Sequence, residues 1–237
     1  MGCGMTEPIL TALLRHLEQA GFEGSPRVPG DGSDETGRAG LSWIDGRIAY
    51  PDEWSDEGIW QVGRMLRALH EATAGFVPPP GTSWPGYWLR QTGPDSVIGH
   101  CDAGPWNTVA RDGLPVAFVG WDVAGPVDLL DDIASCAWWQ AQLRADRPDA
   151  PALPDAATRA RKLACFAEGY GLAADLRAAL VGRMIEFAIR ECADEAEQAQ
   201  ISPASTDPAP MWGLAWRARA AAWMIEHRGV LERAVRP

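Results

Sequence analysis

Residues 97–134 read VIGHCDAGPWNTVARDGLPVAFVGWDVAGPVDLLDDIA, and this stretch decides the fold. Val97-Ile98 is a short apolar step into a polar loop, His100 to Asn107. Asp112-Gly113 then separates two apolar runs, Thr108 to Arg111 and Leu114 to Trp121. Asp-Gly readily adopts the two positive-φ positions of a tight turn, so the runs are expected to pair as a hairpin. After Pro126 the pattern becomes helical through Asp132, Ile133 and Ala134, to about Arg144.

Working outward, residues 6–20 form a helix, with Thr6 as its cap and Ile9, Leu13, Leu14 and Leu17 at helical spacing until Gly21. A turn-rich tip, Gly30 to Gly37, lies between apolar pieces at Arg27-Val28 and Ala39 to Ile44, which reads as a hairpin. A second helix begins near Ser55, buries Ile59, Val62, Leu66, Leu69 and Thr73, and closes at Gly75. Residues 78–86 are a Pro/Gly-rich loop, and the last third is helical over about 155–169, 173–199 and 211–235. Pro203, Pro208 and Pro210 separate the last two helices. The fold class is α+β.

At 237 residues and 46% hydrophobic content the chain can bury a sizeable core. A net charge of −11 argues against nucleic acid and anionic membranes as partners and favours cationic ligands. No apolar run approaches the roughly 18 residues of a membrane span and no basic, apolar leader is present, so a cytoplasmic location is expected. Met1 to Thr6 fits a loose acylation pattern, but the arginine- and alanine-rich composition reads as bacterial, where chance is the better explanation. Five widely spaced cysteines form no paired motif and read as reduced, mostly buried residues. The 21 basic side chains include a single lysine, Lys162, so an ammonium in any mechanism is scarce.

Asp102 precedes Asn107 by five residues, the spacing of a phosphotransferase catalytic loop. The chemistry needs a carboxylate beside the attacking hydroxyl and a side-chain carbonyl helping to hold a metal. A turn pair is the competing structural explanation, since Asp and Asn both favour loops. His100, Cys101 and Asp102 do not make a zinc or nucleophile cluster, because consecutive side chains cannot all face one site.

With His100, the Asp-Gly hairpin and Trp121-Asp122, the stretch resembles the aminoglycoside phosphotransferase and choline kinase-like family. The words GFEGSPRV, LRALHEATAGFVPP and LPDAATRARKL also look like short bacterial members. The resemblance runs from about residue 9 to 170. It implies a protein-kinase-like fold, with an abbreviated N-terminal β lobe over residues 1–50 and a helical C-terminal lobe over 51–237. It further implies ATP and Mg²⁺ as cofactors and a small-molecule hydroxyl as substrate. Carried over, Asp102 is the catalytic base, Asn107 a metal ligand, His100 a structural member of the loop, and Asp132 its brace from the next helix. The segment Leu41 to Gly46, with Trp43 and Ile44, corresponds to the strand and hinge that meet adenine through backbone groups.

Two departures stand beside these matches. The family's principal metal-binding aspartate falls at Gly120, which offers no ligand. Asp122 is two residues on and in a strand would point to the same face about 6–7 Å away, making it the substitute ligand. The family's nucleotide-anchoring lysine has no counterpart before Lys162. The alternative is therefore a degenerate, non-phosphorylating member that binds a ligand or partner, or serves another reaction. A third reading places the missing strands upstream of Met1. Trp84, Trp88 and Trp106 are candidate stacking residues near the cleft, with core packing as the alternative. Glu191, Asp194, Glu195 and Glu197 are a candidate cation-holding run or a solvated helix face.

Overall fold

In the computed structural model, which describes residues 8–30, 40–50, 52–91, 96–146 and 152–236, the hairpin forms as its Asp-Gly turn requires. Strands β3 (Thr108–Arg111) and β4 (Leu114–Phe118) pair antiparallel through Asp112 (φ 52°) and Gly113 (φ 79°), the two positive angles of a type I′ turn. Pro115 has no N–H to donate, and β4 accommodates it at the sheet edge beside an irregularity at Val109/Ala110. On the other side of β3, β1 (Arg47–Ile48) pairs antiparallel, which places Tyr50 N 3.1 Å from the Pro105 carbonyl.

A second, two-stranded sheet joins β2 (Ser96–Gly99) to β5 (Gly125–Asp128). Here the structure corrects the expectation of helix directly after Pro126. Residues 125–128 are the antiparallel partner of β2, and α3 (Leu129–Gln140) begins after them. Asp128 makes the switch by accepting from the N–H groups of Leu130 and Asp131 as the N-cap. The register Gly99↔Gly125 delivers the chain straight into the His100 loop, with Gly99 packed so closely on the Asp132 carboxylate that a Cβ would overlap it.

Helices α1 (Pro8–Gln19) and α2 (Asp56–Thr73) bury the expected stripes, with Ser55 capping α2 through Gly58 N. Then α4 (Ala156–Tyr170), α5 (Ala174–Gln198), α6 (Pro208–Glu226) and α7 (Arg228–Val235) complete the chain. Pro208 opens α6, with Asp207 as cap, rather than breaking the chain outside it, because the first helical turn needs no proline N–H. α2 and α4 approach backbone to backbone: a Cβ at Gly63 would overlap the Phe166 carbonyl, and one at Gly169 the Trp60 carbonyl.

Of the expected hairpin over residues 27–44, the described ends form no strand and meet through a side-chain-assisted clasp. Ser42 N donates to Arg27 O (2.8 Å), and Arg27 N to Ser42 Oγ (2.7 Å). Its tip, 31–39, and the acylation pattern and Thr6 cap in residues 1–7 lie outside the described residues. Cys101 and Cys136 are buried thiols, while Cys165 and Cys192 are half-buried. No helix among the described residues is long and apolar enough to cross a membrane.

Candidate functional site

The loop is held from below by a buried polar chain. Asp132 Oδ1 accepts from Cys101 N (2.8 Å), and its Oδ2 pairs with His70 Nε2 (2.9 Å). His70 Nδ1 in turn meets the Tyr170 hydroxyl (2.8 Å), which ties α2, α3 and α4 to one loop amide. Burial pushes the Asp132 carboxyl up, but the His70 hydrogen bond and charge and the Cys101 N–H outweigh it, and the group stays below its usual range. Cys101 itself sits at φ 66°, a strained angle that the Asp132 contact helps hold.

His100 donates through Nε2 to the Val119 carbonyl (3.0 Å) and accepts from Asp102 N at Nδ1 (3.3 Å). It is fully buried against Phe118 and Trp121, and that burial lowers its pKa to about 4. From α3, Gln140 Nε2 donates to the Ala103 carbonyl (2.9 Å) and Thr108 Oγ1 (2.8 Å), while its Oε1 accepts from Trp54 Nε1 (2.6 Å). Both sides of the loop are therefore fixed before any ligand arrives.

Asp102 accepts from Trp106 Nε1 (3.1 Å) and Asn107 Nδ2 (2.8 Å). Desolvation by burial raises its pKa to about 6 despite these two bonds. The carboxylate lines a cavity of about 720 Å³ whose walls come from the 86–88 loop, α3, α5 and α6. Trp88, Trp106 and Trp139 form aromatic walls, and Glu191, Asp194 and Glu195 face in from α5. Arg217 from α6 binds Glu191 (Nε to Oε2, 2.9 Å) and also pairs with Glu195. Four carboxylates thus line this cavity with one guanidinium, which pairs with two of them. Burial raises the Glu191 carboxyl, an effect that Arg217 only partly reverses.

The metal side is different. Gly120 turns the chain at φ 73°, and a Cβ there would lie 2.7 Å from Asn107 Cγ and overlap its amide oxygen. Asn107 uses its amide N–H groups on Asp102, including the backbone carbonyl at 3.0 Å. Asp122 is exposed, and no cluster of three or more His, Cys, Asp or Glu suited to a metal occurs among the described residues. The residues present do not fit the family's Mg²⁺ site: one carboxylate is absent, and the Asn107 side chain adjoins the space its Cβ would take. Trp43, 87% exposed, and half-buried Ile44 lie in irregular chain before β1.

The structure brings Asp102, His100, Asn107 and Asp132 into one connected cluster; exposed Asp122 has no hydrogen bond to it but is near enough for its charge to act on Asp102 and His100, and Trp43 and Ile44 lie in the chain before β1. Trp84 packs on Phe76 at 5.8 Å, whereas Trp88 and Trp106 do line the cavity. Glu191, Asp194 and Glu195 face it and Glu197 does not. His70, Gln140, Tyr170 and Arg217 belong to the site without a motif that marks them. The only signal was polar residues on otherwise apolar helix stripes, where a buried network looks like ordinary amphipathicity. Lys162 is buried on α4 and committed to Glu53 and the Trp54 carbonyl.

No protein-family model matches the chain. It is 44% identical over 226 residues to a trifolitoxin immunity protein from Rhizobium leguminosarum bv. trifolii, covering 94% of this chain and 87% of that one. Among solved structures, an amicoumacin kinase, hAmiN, in complex with AMP-PNP, Ca²⁺ and Ami, superposes with a TM-score of 0.64 at 15% identity, over 90% of this chain and 77% of that one. A microcompartment-associated aminopropanol kinase gives 0.64 at 13% identity, over 97% and 85% of the two chains. A Plasmodium vivax ethanolamine kinase gives 0.60 at 14%, over 93% and 74%. The fold is thus the kinase-like one of the aminoglycoside phosphotransferases, with mixed helix and sheet. Likeness at these identities speaks to fold alone.

Proposed function

The chain belongs to the family of the trifolitoxin immunity protein, and we propose that it confers immunity by capturing a small-molecule toxin in the Asp102 cavity without metal-assisted phosphoryl transfer. One observation carries this reading. The acceptor side is fully built, with Asp102, Glu191, Asp194 and Glu195 facing a tryptophan-walled cavity, while Gly120 stands in place of the metal carboxylate. A cation entering the cavity meets desolvated carboxylates, where attraction is stronger than in water, and flat aromatic walls that add cation–π contact. Loop rigidity, from Asp132 and Gln140, means that little ordering is required on binding.

A second reading is ATP-dependent phosphorylation of a hydroxyl on the captured molecule, and one observation favours it. The Asp102 carboxyl, at about 6, is matched to taking a hydroxyl proton near neutral pH. In that reading residues 1–50 are the abbreviated nucleotide lobe, Trp43 and Ile44 flank the adenine, and Asn107 and Asp122 are the metal ligands. The separation is direct. Protein expressed in a trifolitoxin-sensitive bacterium is expected to protect growth, and Asp102→Asn or Glu195→Gln to weaken that protection. Purified protein is expected to show no Mg·ATP-dependent thermal shift. A shift accompanied by phosphate transfer to the toxin establishes the second reading. Unaltered protection in both variants removes the Asp102 cavity from the account.

A further inference from the structure

A second cavity, of about 240 Å³, adjoins the first and shares Trp106, Trp139 and Arg217 with it. Its other walls are Tyr50, Pro105, Trp212 and Trp216, together with Gln142 and Arg144. Trp139 and Trp216 stack in parallel, 4.6 Å apart with 6° between planes, and Trp106 meets Trp139 edge-on at 4.5 Å and 84°. The Arg144 guanidinium lies over Trp216 at 5.9 Å. The four tryptophan walls are thus each braced by another ring or a cation, Trp212 by Arg219 at 5.3 Å, so this side of the slot is held by packing. Among the described residues no carboxylate lines it, in contrast to the four in the neighbouring cavity.

We propose that this slot is a recognition site for a planar aromatic or heteroaromatic ring, so that the captured ligand is bipartite: a cationic group beside Asp102 and a flat ring in the tryptophan slot. The inference rests on the reading of the Asp102 cavity as the ligand site and adds its chemical class. Cavities for whole drug-sized ligands begin at about 300 Å³, so a 240 Å³ slot suits one fused ring system and not an entire ligand. Ring–ring contacts prefer offset or edge-on geometry at centroid distances of about 4.5–7 Å, which a slot with mutually perpendicular tryptophans offers from two directions. Arg217 marks the border. It lines both cavities and is bound to Glu191 and Glu195, so the two halves of a ligand meet at a neutralised guanidinium.

The test uses the full chain and three probes by ligand-observed NMR titration: tryptamine, propylamine and 3-methylindole. Tryptamine is expected to bind about ten-fold more tightly than either half, about 1.4 kcal/mol. Trp212→Leu, at a site 39% exposed on α6 and so tolerant of change, is expected to remove most of that advantage and leave propylamine within two-fold. Trp216→Leu should do the same, with circular dichroism checking its fold. If tryptamine and propylamine bind equally, or if Trp212→Leu in folded protein leaves tryptamine unchanged, the slot proposal is wrong. Sensitivity to Trp212→Leu combined with indifference to Asp102→Asn and Glu195→Gln retains the slot and overturns the acidic cavity.

Discussion

The two sides of the Asp102 loop obey different rules. On the α5–α6 side, carboxylates, tryptophans and Arg217 converge on one cavity, and each has a partner that fixes it. On the Gly120 side, position 120 has no side chain, the neighbouring Asn107 gives its amide N–H groups to Asp102 and turns its amide oxygen toward Gly120, and Asp122 is exposed. The two sides of one loop can therefore differ in how they are built. The acceptor half is made by helices that also form the core. The Gly120 side rests on single side chains at a turn, where a substitution disturbs little of the core.

The largest effect should come from the brace serving both halves. Asp132→Ala strands His70 and the Cys101 N–H in the interior, and we expect a loss of about 3–5 kcal/mol in urea unfolding together with ligand binding. Survival of binding in that variant would mean the loop does not depend on its brace, and the contrast between the halves would lose its basis. Next, Gly120→Ala places a methyl against Asn107 at a positive φ, at a cost of about 1–3 kcal/mol. Adding Asn107→Ala should recover part of this loss, measured as a coupling in the double-mutant cycle. No recovery would show that Asn107 does not occupy the metal side.

A subtler difference lies in proton uptake. Asp102 titrates near 6 in the fold against 3.8 ordinarily, so between those values the folded form holds the extra proton and stability falls as pH rises. His100 is the reverse, near 4 against 6.5, so the unfolded form holds the extra proton and stability is lost as pH falls. The slopes oppose each other between about pH 4 and 6. Asp102→Asn removes one of them, and the variant's melting temperature should decline more steeply than the wild type's on acidification. Parallel pH profiles would contradict a desolvated Asp102. The smallest effect is expected at Trp43→Ser. At 87% exposure the change should stay within about 0.5 kcal/mol and leave propylamine binding unaltered. A clear binding defect there would restore a function to the depleted side.

Much of this was legible where local chemistry sets local structure. Asp112-Gly113 demanded its turn, Ser55 its cap, and the spacing of Asp102 and Asn107 their meeting on one loop. The β5 strand was not legible, since Gly125 to Asp128 has no alternation and owes its conformation to β2 across the sheet. Likewise, nothing local distinguishes Glu195, which faces the cavity, from Glu197, which does not; α5's rotation against α6 decides it. Gly120 was visible as a missing ligand, but its fit against Asn107 needed three dimensions.

The buried Lys162 has a practical consequence. It is the chain's sole lysine, 5% exposed, with its ammonium clasped by Glu53 and the Trp54 carbonyl. An amine-reactive acylating reagent can reach it only when α4 separates from the segment leading into α2. The extent of acylation at that one side chain, read by peptide mass, becomes an internal clock for how often the helical core opens. Because Trp54 also anchors Gln140 beneath the loop, ligands that tighten the cavity should slow that clock.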